Sequence, residues 1–102
     1  MRAAIFRKDR IVVDTMPDPR PKAGQTLVKT LCCGICGSDL HAAKFPKQFA
    51  EVAKRSGSRF SMDTERDVVM GHEFCCEVVE HGPGGSGALK PGTRVVSMPL
   101  TV

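Results

Sequence analysis

Residues 33–41 read Cys33-Gly34-Ile35-Cys36-Gly37-Ser38-Asp39-Leu40-His41. Thiols, a hydroxyl, a carboxylate and an imidazole fall in one short block. The block follows an apolar, strand-like run (Gln25–Cys33), and Gly34 and Gly37 bend the chain around Cys36. A turn at a strand end presents the Cys36 sulfur, and Ser38–His41 then fits a turn or short helix. Further along, Gly71-His72-Glu73 opens a second β-type run and adds an imidazole and a carboxylate. Zinc binds thiolate sulfur and imidazole nitrogen, and a catalytic site keeps one position open beside three protein ligands. Cys36 and His72 are two ligand candidates, and no residue after His72 is an obvious third.

Working outward from this block, Arg2–Phe6 and Arg10–Asp14 form two β-type runs split by Arg7-Lys8-Asp9, the pattern of a hairpin with a polar turn. Met16–Gly24 carries three prolines and a glycine and is a loop, because proline removes backbone donors and holds its predecessor extended. On the other side, Phe45, Phe49, Val52 and Ala53 recur with helical spacing, Pro46 suits an early helical position and Gly57 a stop. The helix Phe45–Ser56 is expected to lie on the β-domain through Phe45, Phe49 and Val52, with Lys47, Glu51, Lys54 and Arg55 outward, as an appendage separable from the rest. Val68–Glu80 reads as the longest strand, and Thr93–Met98 as the last. Many short strands, Gly/Pro turns and a helix indicate one small, mainly β, partly open barrel over residues 1–102.

The 102 residues bound the answer to one small domain with a modest core. Apolar residues make up 41% and charged residues 25%, ordinary for a soluble domain. The net charge of +4 invites a nucleic-acid reading. Yet basic residues are spread along the chain, with a mild concentration at Lys44, Lys47, Lys54, Arg55, Arg59 and Arg66 that makes no basic stripe with stacking aromatics, so no nucleic-acid partner is expected. The N-terminal residues contain no apolar signal core, no run approaches a membrane span, and five cysteines with two adjacent pairs suit reduced thiols. A cytoplasmic protein with no membrane partner is expected.

Two motifs have competing readings. Gly82-Pro83-Gly84-Gly85-Ser86-Gly87 matches G-x-G-x-x-G, but a dinucleotide fingerprint needs a helix starting at the glycines. Only three residues separate it from Pro91-Gly92, so it reads as a loop. Cys33-x-x-Cys36 with His72-x-x-Cys75 is compatible with a closed structural zinc site. Against that, Cys33 and Cys75 lie within strand-like runs, where small buried thiols are common. Asp39 and Glu73 stand beside the open-site candidates, where carboxylates orient imidazole ligands. Ser38 and Asp39 equally suit the N-cap of a short helix, and that role is compatible with the first.

At these residues the chain resembles the zinc-containing alcohol dehydrogenases of the medium-chain dehydrogenase/reductase superfamily, in their N-terminal GroES-like catalytic domain. The resemblance runs through Met1–Phe6, Gly34–His41, Gly71–Phe74, Glu77–Val79 and Lys90–Val95. It implies zinc ligation by Cys36 and His72 with Glu73 next to the metal, and support of the His72 ring by Asp39. Ser38 would touch the reacting oxygen, and His41 would relay a proton outward. Zinc would acidify a bound alcohol, whose hydride passes to NAD or NADP. The implied partners are a small-molecule alcohol or aldehyde and, at full length, further copies of the same subunit. The family's third zinc ligand and Rossmann domain lie beyond residue 102, so this portion is expected to hold zinc weakly and to be inactive alone. Position 76, often glycine in the family, is Cys, and the extra segment between His41 and His72 is expected to alter the substrate-pocket wall. A stand-alone zinc-binding or interaction module on the same barrel is the alternative.

Overall fold

The computed structural model describes residues 1–58, 62, 65–85 and 87–98. Its first element is the expected hairpin, β1 (Arg2–Arg7) and β2 (Arg10–Thr15), antiparallel from Arg2↔Thr15 to Arg7↔Arg10. Lys8 and Asp9 both take positive φ, 47° and 63°. That is the primed turn whose twist matches the paired strands. A proline-bearing loop leads to β3 (Thr26–Gly34), followed by α1 (Gly37–Lys44) and α2 (Pro46–Arg55). β4 (Val68–Val69), β5 (Glu73–His81) and β6 (Arg94–Val96) complete the order. The strands form two open three-stranded sheets, β2-β1-β4 and β3-β5-β6. This is the mainly β class expected, with two helices.

The reading of Val68–Glu80 as one strand is corrected. Val68 and Val69 pair with Phe6 and Ile5 of β1, whereas Glu73 onward pairs with β3. Between them Met70 donates its amide to Ala4 O at 2.9 Å, and Gly71 sits at φ +103°, a left-handed conformation that breaks the extended run. The chain thereby passes from one sheet to the other, with His72 at the crossing. In the sequence this break is marked by Gly71 and the polar pair His72-Glu73.

β1 is central in its sheet and covered on both faces, so the consecutive residues Ile5 and Phe6 are both fully buried. Phe6 joins Ala42 of α1 and Met62 in a core cluster, against which Ala43, Phe49, Val68 and Met70 pack. The expected helical stripe is corrected here. Phe45 precedes α2 as its N-cap and Val52 is 64% exposed, while Pro46, Phe49, Ala50 and Ala53 turn inward. The rotation follows from Pro46, which pushes Phe45 out of helical geometry (φ −128°, ψ 57°) and starts a new helix one residue later than the stripe assumed. Lys47, Glu51, Lys54 and Arg55 face solvent as expected. Phe49 packs against the Phe6 cluster and Ala53 is buried, so α2 lies on the domain through these residues and not through Phe45 and Val52. Arg59 lies outside the described residues.

Two ends of the first sheet are joined by Arg7, whose guanidinium donates to Asp14 at 2.8 Å and to Asp67 at 2.8 and 2.6 Å. The hydrogen bonds from Arg7 hold both carboxyls below the usual carboxylate range. A carboxylate with a depressed folded-state pKa adds stability above its unfolded value, and that stability is lost as pH falls through the folded value. All three groups are solvent-exposed, so the effect is small. Urea midpoints are expected to fall between pH 5 and about pH 3, and to fall less in Asp67→Asn. An equal acid loss in both proteins would exclude this ion pair as the source.

Candidate metal centre

The centre assembles where β3 ends, α1 begins and the chain crosses into β5. Cys36 is the N-cap of α1 in extended geometry (φ −87°, ψ 148°), and Asp39 stands in the first turn, three residues on. Asp39 Oδ2 accepts the Cys36 amide at 3.1 Å, and the Asp39 amide donates to Cys36 O at 3.0 Å. A first-turn acidic residue reaching back to the N-cap amide is half of a capping box and locks the turn on which the sulfur sits. The helix start is therefore Cys36, not the Ser38 or Asp39 that N-cap preference suggested.

Asp39 also faces His72. Its Oδ1 lies 3.2 Å from His72 Nδ1, and both side chains are largely shielded, at 13% and 22% exposure. An ionised carboxylate only accepts, so Nδ1 carries the proton and Nε2 presents its lone pair. Ser38 Oγ lies 3.3 Å from that Nε2, within hydrogen-bond reach. One carboxylate thus fixes both the Cys36 turn and the His72 tautomer. Its support of the His72 ring was expected from the family resemblance, whereas its hydrogen bond with the Cys36 amide was not.

Cys36, His72 and Glu73 each bring one ligand atom within 4.8 Å of the others. Thiolate, imidazole and carboxylate are the zinc donor types, bound at about 2.3 Å through sulfur and about 2.0 Å through nitrogen. The imidazole whose far nitrogen is already engaged by a carboxylate is the usual condition of a metal-ligating histidine. The residues fit zinc. Cys36 and His72 are half-buried and Glu73 is exposed, which leaves the centre open on one side.

The remaining candidates fall elsewhere. His41 is exposed on α1 and packs against Phe45 with ring centroids 5.1 Å apart and the rings tilted by 53°. It shares a helix face with Ser38, three residues earlier, though no hydrogen bond joins the two. The closed Cys33/Cys36/His72/Cys75 arrangement does not form. Cys33 is opposite Phe74, one position away from Cys75, so the two thiols project from opposite faces of the sheet. Cys76 is buried, with its thiol 3.7 Å from Thr30 Oγ1, a small core residue. A groove of about 620 Å³ runs between the sheets behind Asp39, lined by Ala4, Val28, Leu40, Val69 and Phe74, and no residue of α2 borders it. In the Gly-rich segment, Gly85 donates to Gly82 O and the next regular element is β6, so no helix starts at the glycines among the described residues.

A sequence profile of the alcohol dehydrogenase GroES-like domain matches residues 22–101. The chain is 37% identical to (R,R)-butanediol dehydrogenase of Bacillus subtilis over 98% of its own length. It is 38% identical to L-threonine 3-dehydrogenase of Pyrococcus furiosus over 68%. The crystal structure of 2R,3R-butanediol dehydrogenase from Bacillus subtilis superposes with a TM-score of 0.69 at 32% identity, covering 91% of this chain and 26% of that one. The chain spans 28% and 17% of the lengths of those two relatives. The matched profile covers the strands and helix that carry Cys36, Asp39, His72 and Glu73, and the chain belongs to the alcohol dehydrogenase GroES-like domain family, the N-terminal domain of medium-chain dehydrogenases.

Proposed function

We propose that residues 1–102 are the catalytic-domain portion of a zinc-dependent, NAD- or NADP-linked oxidoreductase acting on a small-molecule alcohol. The observation that supports it best is the double contact of Asp39, which sets the Cys36 turn and the His72 tautomer together. Cys36, His72 and Glu73 would hold the metal. Bound zinc supplies Lewis acidity toward an alcohol oxygen. The chain's own residues do the rest. Asp39 keeps the proton on Nδ1, so Nε2 stays a donor of electron density. Ser38 places a hydroxyl beside Nε2, where it can hold or pass the proton of a substrate oxygen. His41, three residues along the same helix face, is positioned to take that proton toward solvent. Hydride transfer needs a dinucleotide site, and no strand–glycine loop–helix unit exists among the described residues. The activity therefore belongs to a longer protein, and this portion alone is expected to be inactive.

Metal analysis tests the assignment without any turnover. After dialysis against zinc and a mild wash, the wild-type chain is expected to retain sub-stoichiometric zinc that a chelator removes readily. Cys36→Ser/His72→Ala is expected to retain none, and Asp39→Asn to weaken affinity by roughly 10- to 100-fold, the range for a lost ligand-orienting partner. Stoichiometric zinc surviving in the double variant would place the metal elsewhere.

A further inference from the structure

The candidate metal centre uses one of five cysteines, and the other four all lie on the β3–β5 ladder. Their faces are set by register. Cys33, opposite Phe74, and Cys76, opposite Thr30, face the groove between the sheets. Cys32 stands directly opposite Cys75 on the other face. That pairing depends on an irregularity in β3: Thr30 pairs with Cys76 and Cys32 with Cys75, so Leu31 is an extra residue. In an unbroken ladder Leu31 would meet Cys75, and Cys32 would turn to the groove beside Phe74, because a slip of one residue flips every side chain. The bulge brings two thiols onto one rung.

We propose that Cys32 and Cys75 form a redox-active thiol pair that closes to an intrachain disulfide when a peroxide reaches it. Directly opposed residues of an antiparallel pair have Cα atoms about 4.5–5.5 Å apart, inside the span of about 4.4–6.8 Å that a disulfide bridges. All five cysteines are free thiols in this structure. Cys32 is exposed and Cys75 half-buried, and Val96, which completes the rung on β6, is 77% exposed. A small oxidant therefore has access from solvent. The Cys32 thiolate attacks one peroxide oxygen, forming a sulfenic acid and releasing one water or hydroxide. The Cys75 thiol then attacks the sulfenic sulfur, the S–S bond forms, and a second water leaves. Two thiols and one hydrogen peroxide give one disulfide and two waters, the sulfurs losing the two electrons that the peroxide gains. Exposed cross-links of this kind are the readily reduced ones, so a thiol reductant reverses the bond.

The test exposes the reduced chain to a molar equivalent of hydrogen peroxide, blocks remaining thiols with N-ethylmaleimide and maps tryptic peptides by non-reducing tandem mass spectrometry. Free thiols are expected to fall from five to three. The peptide of residues 30–44 should become joined to that of residues 67–94, with fragments placing the bond on Cys32 and Cys75. Dithiothreitol is expected to restore all five thiols. Cys32→Ser is expected to abolish the link and Cys33→Ser to leave it. If a serine variant misfolds, the wild-type map still decides. A bond to Cys33, Cys36 or Cys76, a disulfide-linked dimer through Cys32, or Cys32 accumulating as sulfinic acid with Cys75 free would each overturn the proposal.

Discussion

Replacing Ser38 by alanine is expected to lower alcohol oxidation by about 10²-fold or more, the contribution of a positioned proton-transfer group. The enzyme for this measurement joins the present chain to the cofactor-binding remainder of a full-length relative. The magnitude follows from place: Ser38 Oγ lies 3.3 Å from the very nitrogen, His72 Nε2, that would bind metal. An oxygen on a metal held by that nitrogen would fall within reach of the hydroxyl. His41 is different. It is exposed and packed on Phe45, with no hydrogen bond to Ser38. Solvent can replace an outer relay, so His41→Ala is expected to cost less than Ser38→Ala. Its loss should be greatest at low pH, where hydroxide and buffer bases are scarcest. Steady-state rates against pH for both variants decide the order. If His41→Ala is the more damaging at every pH, the relay runs the other way or does not exist.

The metal centre was legible in the sequence because each half of it is local. Cys36, Ser38 and Asp39 are fixed by one turn, and His72 and Glu73 are adjacent, so the fold has only to bring two blocks together. What the sequence hid were features that depend on a neighbouring strand. The break between β4 and β5 falls at Gly71-His72-Glu73, which is also compatible with one long strand, and the pairing of Val68–Val69 with β1 reveals that the chain changes sheets there. The bulge at Leu31 is likewise set by β5, since nothing in Thr30-Leu31-Cys32 announces an extra residue. The sequence argued against Cys33 and Cys75 as ligands because thiols in strands are commonly buried. In the fold Cys33 is exposed and Cys75 half-buried, and it is the sheet face that separates them. The orientation of α2 was missed by one step because Phe45 sits at a helix junction. Its large apolar ring suggested the core, but Pro46 disfavours helical geometry there, and the ring is left half-exposed beneath the Lys44 ammonium.

The largest stability effect is expected at Gly82, in the segment that resembled a phosphate loop. A Cβ built there would lie 1.8 Å from Lys22 O and 2.6 Å from Lys22 C, both backbone atoms. Rotation of a side chain cannot relieve such a clash, so the loop before β3 must move. That loop is tied down. Gly82 donates its amide to Gln25 O at 2.8 Å, Gln25 donates to Lys22 O at 3.0 Å, and the Gln25 side chain accepts the Lys22 amide at 2.9 Å. Moving it also strains the first rung of the second sheet, Thr26↔His81, where the threonine hydroxyl meets His81 Nδ1 at 3.0 Å. Gly82→Ala is therefore expected to destabilise by about 3 kcal/mol or more, at or beyond the upper end of ordinary overpacking costs. For a domain of this size that is a fall of more than about 10 °C in Tm. Gly37→Ala is the matched control. It meets nothing within 4 Å in α1, so replacing a helical glycine there should be neutral or stabilising, by up to about 1 kcal/mol. Thermal melts of the two variants beside the wild type measure the contrast. A Gly82→Ala protein that melts with the wild type would mean the loop does not rest on the end of β5, and the glycine segment would then need an explanation other than close backbone packing.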